Sequence, residues 1–275
     1  MIRRCIDDRT QRLFVFALSA ALLYSLAAWM QWRPQQNMDP TWRVRGLILL
    51  AVVFHTWGLK QSMWLDSGLD LGVFKALSTV GLVVAIMLLL AQLKSYSVQL
   101  GQWLLPFAAI SVLAGAFIAS PYPIRDFSFG ITLHILFSLL ALAMFTLTMA
   151  YTLLLRAHER ALKHHHFSAL TKRLPPLDTM ERTQFKLAWV GFILLTLAMV
   201  IGFLLVENYF AQHLIHKTSL TILAWAFFAV LFVGHYRAGW RAVMTLRWYM
   251  AAYGLLLVAF FGSKFVLEVL LQRTS

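Results

Sequence analysis

The sequence predicts an all-α fold, a polytopic membrane helix bundle with about eight transmembrane helices. Three observations predict it: the 275-residue chain is 60% hydrophobic, only 13% of its residues are charged, and the charges cluster between long apolar stretches. Soluble domains average about half apolar and about a quarter charged residues, whereas a membrane-spanning helix needs about 20 mostly apolar residues. This composition excludes an ordinary soluble domain.

Eight apolar stretches give the predicted helices. The first follows Arg3 and Arg4 as in a signal sequence, but no small-x-small cleavage site precedes Gln31, so we predict a retained helix. Pro121 and Pro123 end the fourth helix, because the residue before a proline disfavours helical geometry. The chain is predicted to form one membrane domain, residues 1–275. The predicted helices span residues 13–31, 46–65, 72–93, 98–119, 129–155, 185–206, 216–236 and 247–270.

The distribution of basic residues predicts the orientation in the bilayer. Lys and Arg total 24 against 11 acidic residues, and fourteen of the 24 fall on the side that holds the loop of residues 156–186, against seven on the other side. Since cytoplasmic loops carry the excess of Lys and Arg, we expect this loop in the cytoplasm and both termini in the periplasm. Basic residues in such short loops indicate contacts with the lipid bilayer and no nucleic-acid partner.

Three lysines fall inside or at the ends of predicted helices, where a charge costs about 2.5–3.5 kcal/mol at the helix centre on insertion scales. Lys60, Lys75 and Lys264 lie toward the outer ends of their helices, so their long stems allow the ammonium groups to reach the interface. Asp66 and Asp70 are close enough in sequence to pair with Lys60 or Lys75. We therefore interpret these lysines as anchors.

Histidines in the predicted helices are the strongest signal for a cofactor. Neutral imidazole ligates heme iron or another metal when a second hydrogen bond holds its ring. At about 1.5 Å per residue, His55 falls near the bilayer middle, and His134 lies about one turn inside the outer end of the fifth helix. His216 and His235 mark the outer and inner ends of the seventh. One such histidine is more often a hydrogen-bonded core residue, whereas several in one small bundle favour a cofactor.

No sequence pattern indicates catalysis or a separate metal site. The single cysteine, Cys5, excludes an internal disulfide and a Cys-x-x-Cys-His heme attachment site. The histidine triplet at 164–166 would point its rings in different directions on a helix. Neither a nucleophile–base pair nor two histidines spaced i, i+4 for a metal is found. We therefore predict a protein that is not an enzyme and has no catalytic residue.

Short segments of the second half carry a family resemblance. They are Leu174-Pro-Pro-Leu-Asp-Thr-Met-Glu-Arg182, Gly191-Phe-Ile-Leu-Leu-Thr196 with Gly202, Leu223-Ala-Trp225, Gly234-His-Tyr-Arg-Ala-Gly-Trp-Arg241, Tyr253-Gly254 and Phe261-Gly-Ser263. Together they resemble the cytochrome c assembly family of heme-handling membrane proteins, and particularly an eight-helix branch from bacterial inner membranes. The resemblance is strongest over residues 130–270 and implies a multi-pass protein of the bacterial inner membrane.

The resemblance also implies candidate cofactor ligands. His134 matches a family histidine at the outer face, His235 matches one at the inner face, and His55 lies in a similar place. His216 is a local candidate for a second ligand. The expected arrangement is a heme enclosed by apolar helices, with His134 and either His216 or His55 on the iron. Basic residues near those helix ends would pair with its two propionates: Lys60, Lys75 and Lys217.

Two features of the heme-transferring family members have no counterpart in this sequence. Their external tryptophan-rich motif is replaced by residues 207–217, which contain no tryptophan, and no histidine follows the last predicted helix. We therefore do not expect heme to be presented to an apocytochrome. The alternative left open is a heme-free accessory or regulatory membrane subunit of a partner complex, such as an ion transporter.

Overall fold

The computed structural model describes residues 2–32, 41–65, 68–92, 98–118, 123–124, 128–164, 174, 176–205, 212–240 and 243–262. These residues form eight α-helices and three very short β-strands, which confirms the all-α class and the predicted number of helices. Seven of the described helices are long and apolar enough to cross a membrane, by length and composition. The remaining helix is the second in chain order, and it contains Arg43, Arg45 and Lys60 within its 23 residues.

The first compact unit contains the described part of residues 1–126. Its helices are α1 (Ile2–Trp32), α2 (Thr41–Met63), α3 (Val73–Gln92) and α4 (Val98–Phe117). Each helix packs on the next and α4 packs back on α1, so the four form a bundle. Glycines allow α3 and α4 to approach closely, because a Cβ added at Gly81 would overlap Ser111, and one at Gly115 would overlap Ser78.

A small antiparallel sheet joins the connections at one end of this bundle. β1 (Trp64–Leu65) follows α2 directly, β2 (Gly68–Asp70) leads toward α3, and β3 (Pro123–Ile124) comes after α4. The strand order is β1-β2-β3. Leu69 of the central strand pairs with a residue on each neighbour. The sheet is confined to the end where α2 stops and α3 begins.

An ion pair beside this sheet confirms one expectation about the lysines. Asp70 is buried and pairs with Lys75. Its other oxygen accepts a hydrogen bond from the backbone N–H of Gly72 at 3.0 Å. Lys60 is exposed, and its ammonium lies 5.9 Å from the centre of the Trp57 ring. Asp66 and Lys264, which were also named as anchors or partners, lie outside the described residues.

The second compact unit contains the described part of residues 127–273. Its core is aromatic: the Phe145 and Phe228 rings stack with centroids 4.0 Å apart, and the Tyr249 hydroxyl donates to the carbonyl oxygen of Phe145 at 3.0 Å. Its helices are α5 (Phe129–Lys163), α6 (Leu177–Leu205), α7 (Gln212–Ala238), α8 (Val243–Leu257) and a terminal π-helix (Val258–Gly262). Helix α5 packs against α6 and α8, and α7 packs against the same two helices.

Helices α5 and α6 are longer than the apolar stretches that predicted them. Beyond the apolar part, Glu159 pairs with Arg156 at 2.5 Å and with Lys163 at 3.2 Å, at helical spacings of three and four residues. Such pairs favour continuation of the helix past its apolar segment. Part of the predicted loop of residues 156–186 is therefore helical. The single-domain organisation and the orientation of the chain stay predictions.

Candidate functional site

A cavity of about 290 Å³ lies within the second unit and is lined by α5, α6 and α7. Apolar side chains form most of its walls, among them Ile131, Met199 and Phe203. Among the lining residues that the structure describes, the ionisable groups are His134 and Lys217. Ligand pockets typically measure about 300–1,000 Å³ and combine apolar walls with a few polar groups. This cavity therefore has the composition of a ligand site, and its volume lies just below that size range.

Two features of α5 and α6 fix the position of His134. Helix α5 begins at Phe129 and is capped by Ser128, whose hydroxyl oxygen accepts a hydrogen bond from the Ile131 N–H at 3.2 Å. Such a cap satisfies a backbone donor that has no partner inside the helix. His134 then faces α6, where its Nδ1 lies 2.8 Å from the carbonyl oxygen of Ala198.

The hydrogen bond to Ala198 also defines which nitrogen of His134 is available. A carbonyl oxygen only accepts, so Nδ1 carries the proton and donates it. In the neutral ring, Nε2 then holds the free lone pair. Metal-ligating histidines show this arrangement, in which a second hydrogen bond fixes the tautomer and orients the ring. Nε2 is therefore the nitrogen through which His134 could bind a metal.

Gly202 provides the space that the His134 ring occupies. A Cβ added at Gly202 would lie 3.0 Å from both Cε1 and Nδ1 of the imidazole, closer than such atoms normally approach. Gly202 also lines the cavity, together with Met199 one turn earlier on α6. The family resemblance marked Gly202 but assigned it no role, and sequence reasoning did not identify Met199. Their i, i+3 spacing, which places both residues on one face of α6, was the sequence signal that could have identified them.

The structure places His55 in the core of the first unit. The residue is fully buried. Its Nε2 lies 2.9 Å from the hydroxyl oxygen of Ser78, and its Nδ1 lies 3.3 Å from the hydroxyl oxygen of Tyr24. Both ring nitrogens therefore have protein partners, and an iron ligand at His55 would have to displace one of them. This geometry favours the hydrogen-bonded core role, and ligation by His55 stays a prediction.

His235 belongs to the C-terminal end of α7. Its ring stacks on Phe185 with centroids 3.5 Å apart, and its Nδ1 donates to the carbonyl oxygen of Trp240 at 3.0 Å. Gly239 adopts φ of 64°, and Gly234 leaves room for the Trp240 ring. The glycine-rich motif that carried the resemblance is therefore a folded helix end. His235 does not line the cavity to which His134 belongs.

His216 lies in α7, one residue before Lys217, and its side chain is not among those the structure describes. Its pairing with His134 therefore stays a prediction. Of the histidine triplet, the structure describes only His164. Within the described ranges, no group of three or more His, Cys, Asp or Glu side chains could hold a metal ion.

The residues around the cavity fit heme in their donor chemistry. His134 offers an imidazole with its second nitrogen already bonded, and Met199 offers a thioether. Histidine and methionine are both axial ligands of heme iron in proteins. The apolar walls suit a porphyrin face. Of the lysines expected near the propionates, Lys75 is already paired with Asp70, whereas Lys217 lines the cavity.

The described residues form eight helices, and seven of these have the length and composition to span a membrane. Together with an apolar cavity that contains an oriented histidine, they define a multi-pass membrane protein with a candidate cofactor site. The family model described as "Cytochrome C assembly protein" matches residues 46–271. The chain therefore belongs to the cytochrome c assembly family, as its motifs predicted.

Individual relatives place the chain in a bacterial inner-membrane group. It is 30% identical over 263 residues to the inner membrane protein YpjD of Escherichia coli (strain K12), covering 93% of this chain and 99% of that protein. It is 31% identical over 232 residues to an uncharacterized 28.8 kDa protein in the nifR3-like 5′ region of Azospirillum brasilense, covering 82% of this chain and 80% of that protein. It is 25% identical over 131 residues to the protein HemX of Brevibacillus brevis, covering 47% and 48%. No solved structure matches the chain.

The predicted similarity to bacterial inner-membrane relatives is thereby confirmed. The chain is a multi-pass inner-membrane protein.

Proposed function

We propose that this protein binds heme in the cavity of its second unit and holds or hands on heme within the inner membrane, without catalysing a reaction. The observation that carries the proposal is the hydrogen bond from His134 Nδ1 to the Ala198 carbonyl oxygen, which leaves Nε2 as the free nitrogen of a cavity-lining imidazole. Membership of the cytochrome c assembly family supports it. The apolar walls would keep water away from a bound porphyrin.

Two residues in or near the same cavity could provide a second ligand to the iron. Met199 lines the cavity directly. His216 lies in α7 next to the lining residue Lys217. A bound heme would supply a redox-active iron whose potential depends on which axial ligands hold it. Since Met raises the potential relative to His in cytochromes, the identity of this ligand would decide the redox behaviour. His55 and His235 are proposed for structural roles, His55 in the core of the first unit and His235 at the end of α7.

The absorption spectrum of the full chain tests the proposal. The protein would be purified in detergent from heme-replete cells, with His134→Ala as the test variant and His235→Ala as a matched control in the same unit. We expect a near-stoichiometric Soret band in the wild type and the control, and a lost or shifted band in His134→Ala. Absence of the band after heme supplementation, or an unchanged spectrum in His134→Ala, would contradict the assignment.

The second candidate function is a heme-free accessory or regulatory subunit of a partner membrane complex. The absence of tryptophan from residues 207–217 favours it, because the heme-transferring members that the chain resembles carry their tryptophan-rich motif there. Colourless protein that co-purifies with a second membrane protein would support this function. A Soret band that depends on His134 would exclude the heme-free version.

A further inference from the structure

Lys217 differs from the other lysines that were expected to contact a cofactor. Lys75 is neutralised by Asp70, and Lys60 is exposed over the Trp57 ring in the first unit. Lys217 lies in the first turns of α7 and lines the same cavity as His134. Of the three lysines, it is therefore the one placed to meet a molecule in that cavity.

Among the residues that the structure describes, few groups compensate the charge of Lys217. Its ammonium lies 6.0 Å from the centre of the Phe260 ring, at the outer limit of a cation–π contact. Among the described residues, no carboxylate forms an ion pair with it and no acidic side chain lines the cavity. A charge in an apolar surrounding is costly unless an opposite charge or hydrogen bonds satisfy it.

Two threonines of α7 add hydroxyl groups to the residues that line this cavity. Thr218 and Thr221 both line the cavity. The Thr221 hydroxyl donates to the carbonyl oxygen of Lys217 at 2.8 Å, which directs its hydrogen along the helix backbone. Helix α7 thus contributes a lysine and two threonines to the lining, whereas Ile131, Met199 and Phe203 make other parts of it apolar. This division matches a molecule with an apolar body and one anionic end.

We infer that the cavity binds an amphiphile whose ionised oxygen group, a carboxylate or a phosphate, pairs with Lys217. Two sources of this chemistry exist in a bacterial membrane, the propionates of a porphyrin and the headgroup of an anionic phospholipid. The inference rests on the proposed function for the choice of a porphyrin, but the anion recognition itself does not require iron or His134. Because a charge-assisted hydrogen bond is stronger than a neutral one, we expect the ion pair to account for about tenfold or more in affinity.

Iron-free protoporphyrin IX and its dimethyl ester test the inference, because they share the apolar macrocycle and differ in the two ionised carboxylates. The full chain would be placed in nanodiscs of phosphatidylcholine, and binding followed by porphyrin fluorescence. We expect Lys217→Gln to weaken protoporphyrin binding about tenfold and to leave binding of the dimethyl ester unchanged. Lys217→Arg should retain binding, because it keeps the charge. Lys60→Gln is the matched control and should bind as the wild type.

Nanodiscs that contain phosphatidylglycerol distinguish the two sources of the anion. Retention of phosphatidylglycerol by the wild type and its loss from Lys217→Gln, with no discrimination between the porphyrins, would assign the site to a lipid headgroup. Equal behaviour of wild type and Lys217→Gln toward every ligand would overturn the inference. Ester binding shows that a variant still forms the cavity. Discrimination between porphyrins without any hemin Soret band would refute the proposed heme ligation and leave the anion site intact.

Discussion

At the scale of single residues, the candidate site depends on one hydrogen bond and one missing side chain. The bond from His134 to the Ala198 carbonyl sets the tautomer, and the absence of a Cβ at Gly202 lets the ring stand beside α6. Both features come from α6, whereas the histidine comes from α5. Substitutions on α6 should therefore alter the chemistry of His134, although the histidine itself belongs to α5.

The first prediction at this scale concerns Gly202→Ala. The added Cβ would meet Cε1 and Nδ1 of His134 at 3.0 Å, so the ring must move and its bond to Ala198 should lengthen. We expect heme affinity to fall about tenfold, since one oriented hydrogen bond is worth about 1 kcal/mol and outer partners of metal-ligating histidines matter by about 10–100-fold. Hemin titration of the Soret band measures this effect.

Gly254→Ala is the control for that variant. Gly254 lies in α8, and a Cβ there would meet no atom within 4 Å. Its heme affinity should equal that of the wild type. If Gly202→Ala and Gly254→Ala titrate identically, Gly202 does not hold the ring of a ligating histidine.

At the scale of helices, the Tyr24–His55–Ser78 hydrogen bonds tie α1, α2 and α3 together inside the first unit. All three residues are buried. A polar group without a partner in such a core costs about 1–3 kcal/mol, and removal of a ring adds the cost of a cavity. This network is therefore a stabilising element of the first bundle.

The prediction for this network is a loss of stability without a loss of ligand binding. We expect His55→Ala to lower the free energy of unfolding by about 2–4 kcal/mol, since it leaves both hydroxyl groups without their partner and opens a cavity. Thr56→Ala is the neighbouring control, because Thr56 is exposed and its hydroxyl donates only to the Val52 carbonyl oxygen of its own helix. Thermal unfolding in detergent measures the difference.

Heme binding by the second unit provides the opposing readout for His55. If His55→Ala removed the Soret band while the stability stayed that of the wild type, His55 would be a ligand and the structural interpretation would be wrong.

At the scale of the whole molecule, the distribution of charge predicts the orientation in the membrane. Fourteen basic residues on one side against seven on the other favour a cytoplasmic loop between α5 and α6. This charge asymmetry is summed over all the loops and does not depend on how the helices pack, so orientation is a property of the complete chain.

Cysteine labelling tests this orientation. In a Cys5→Ser background, we expect a membrane-impermeant maleimide to label Asn208→Cys in intact spheroplasts and to label Ser168→Cys only after lysis, since residue 168 belongs to the loop predicted to be cytoplasmic. The reverse pattern would show that the N-terminal group of arginines, rather than the larger count, sets the topology.

The comparison of sequence and structure is most instructive at the histidines. The sequence identified four candidates and ranked His134 through a family motif, but it could not separate a ligand from a core residue. The structure shows different partners for the two rings: a backbone carbonyl for His134, and two hydroxyl groups for His55. These partners lie 64, 31 and 23 residues away in sequence, and no local pattern encodes them.

The motif around His235 gives the opposite lesson. Its glycines and aromatic residues pointed to the correct family, and the structure shows why they occur together: Gly239 turns the chain with φ of 64°, and Trp240 folds over Gly234. Part of the resemblance therefore lies in residues that pack the end of α7, and ligation by His235 stays a prediction. A motif can therefore identify a family because its residues are needed to form the end of a helix.

The sequence by itself determined the membrane class, the number of helices and the family, because apolar length, charge clustering and short motifs are local properties of the chain. Only the tertiary structure decided which side chains share a cavity, since α5, α6 and α7 bring His134, Met199 and Lys217 together from distant parts of the chain. It also decided that Lys75 is neutralised by Asp70. The physical reason is that ligation and ion pairing depend on distances of a few ångströms, which are set by packing between helices.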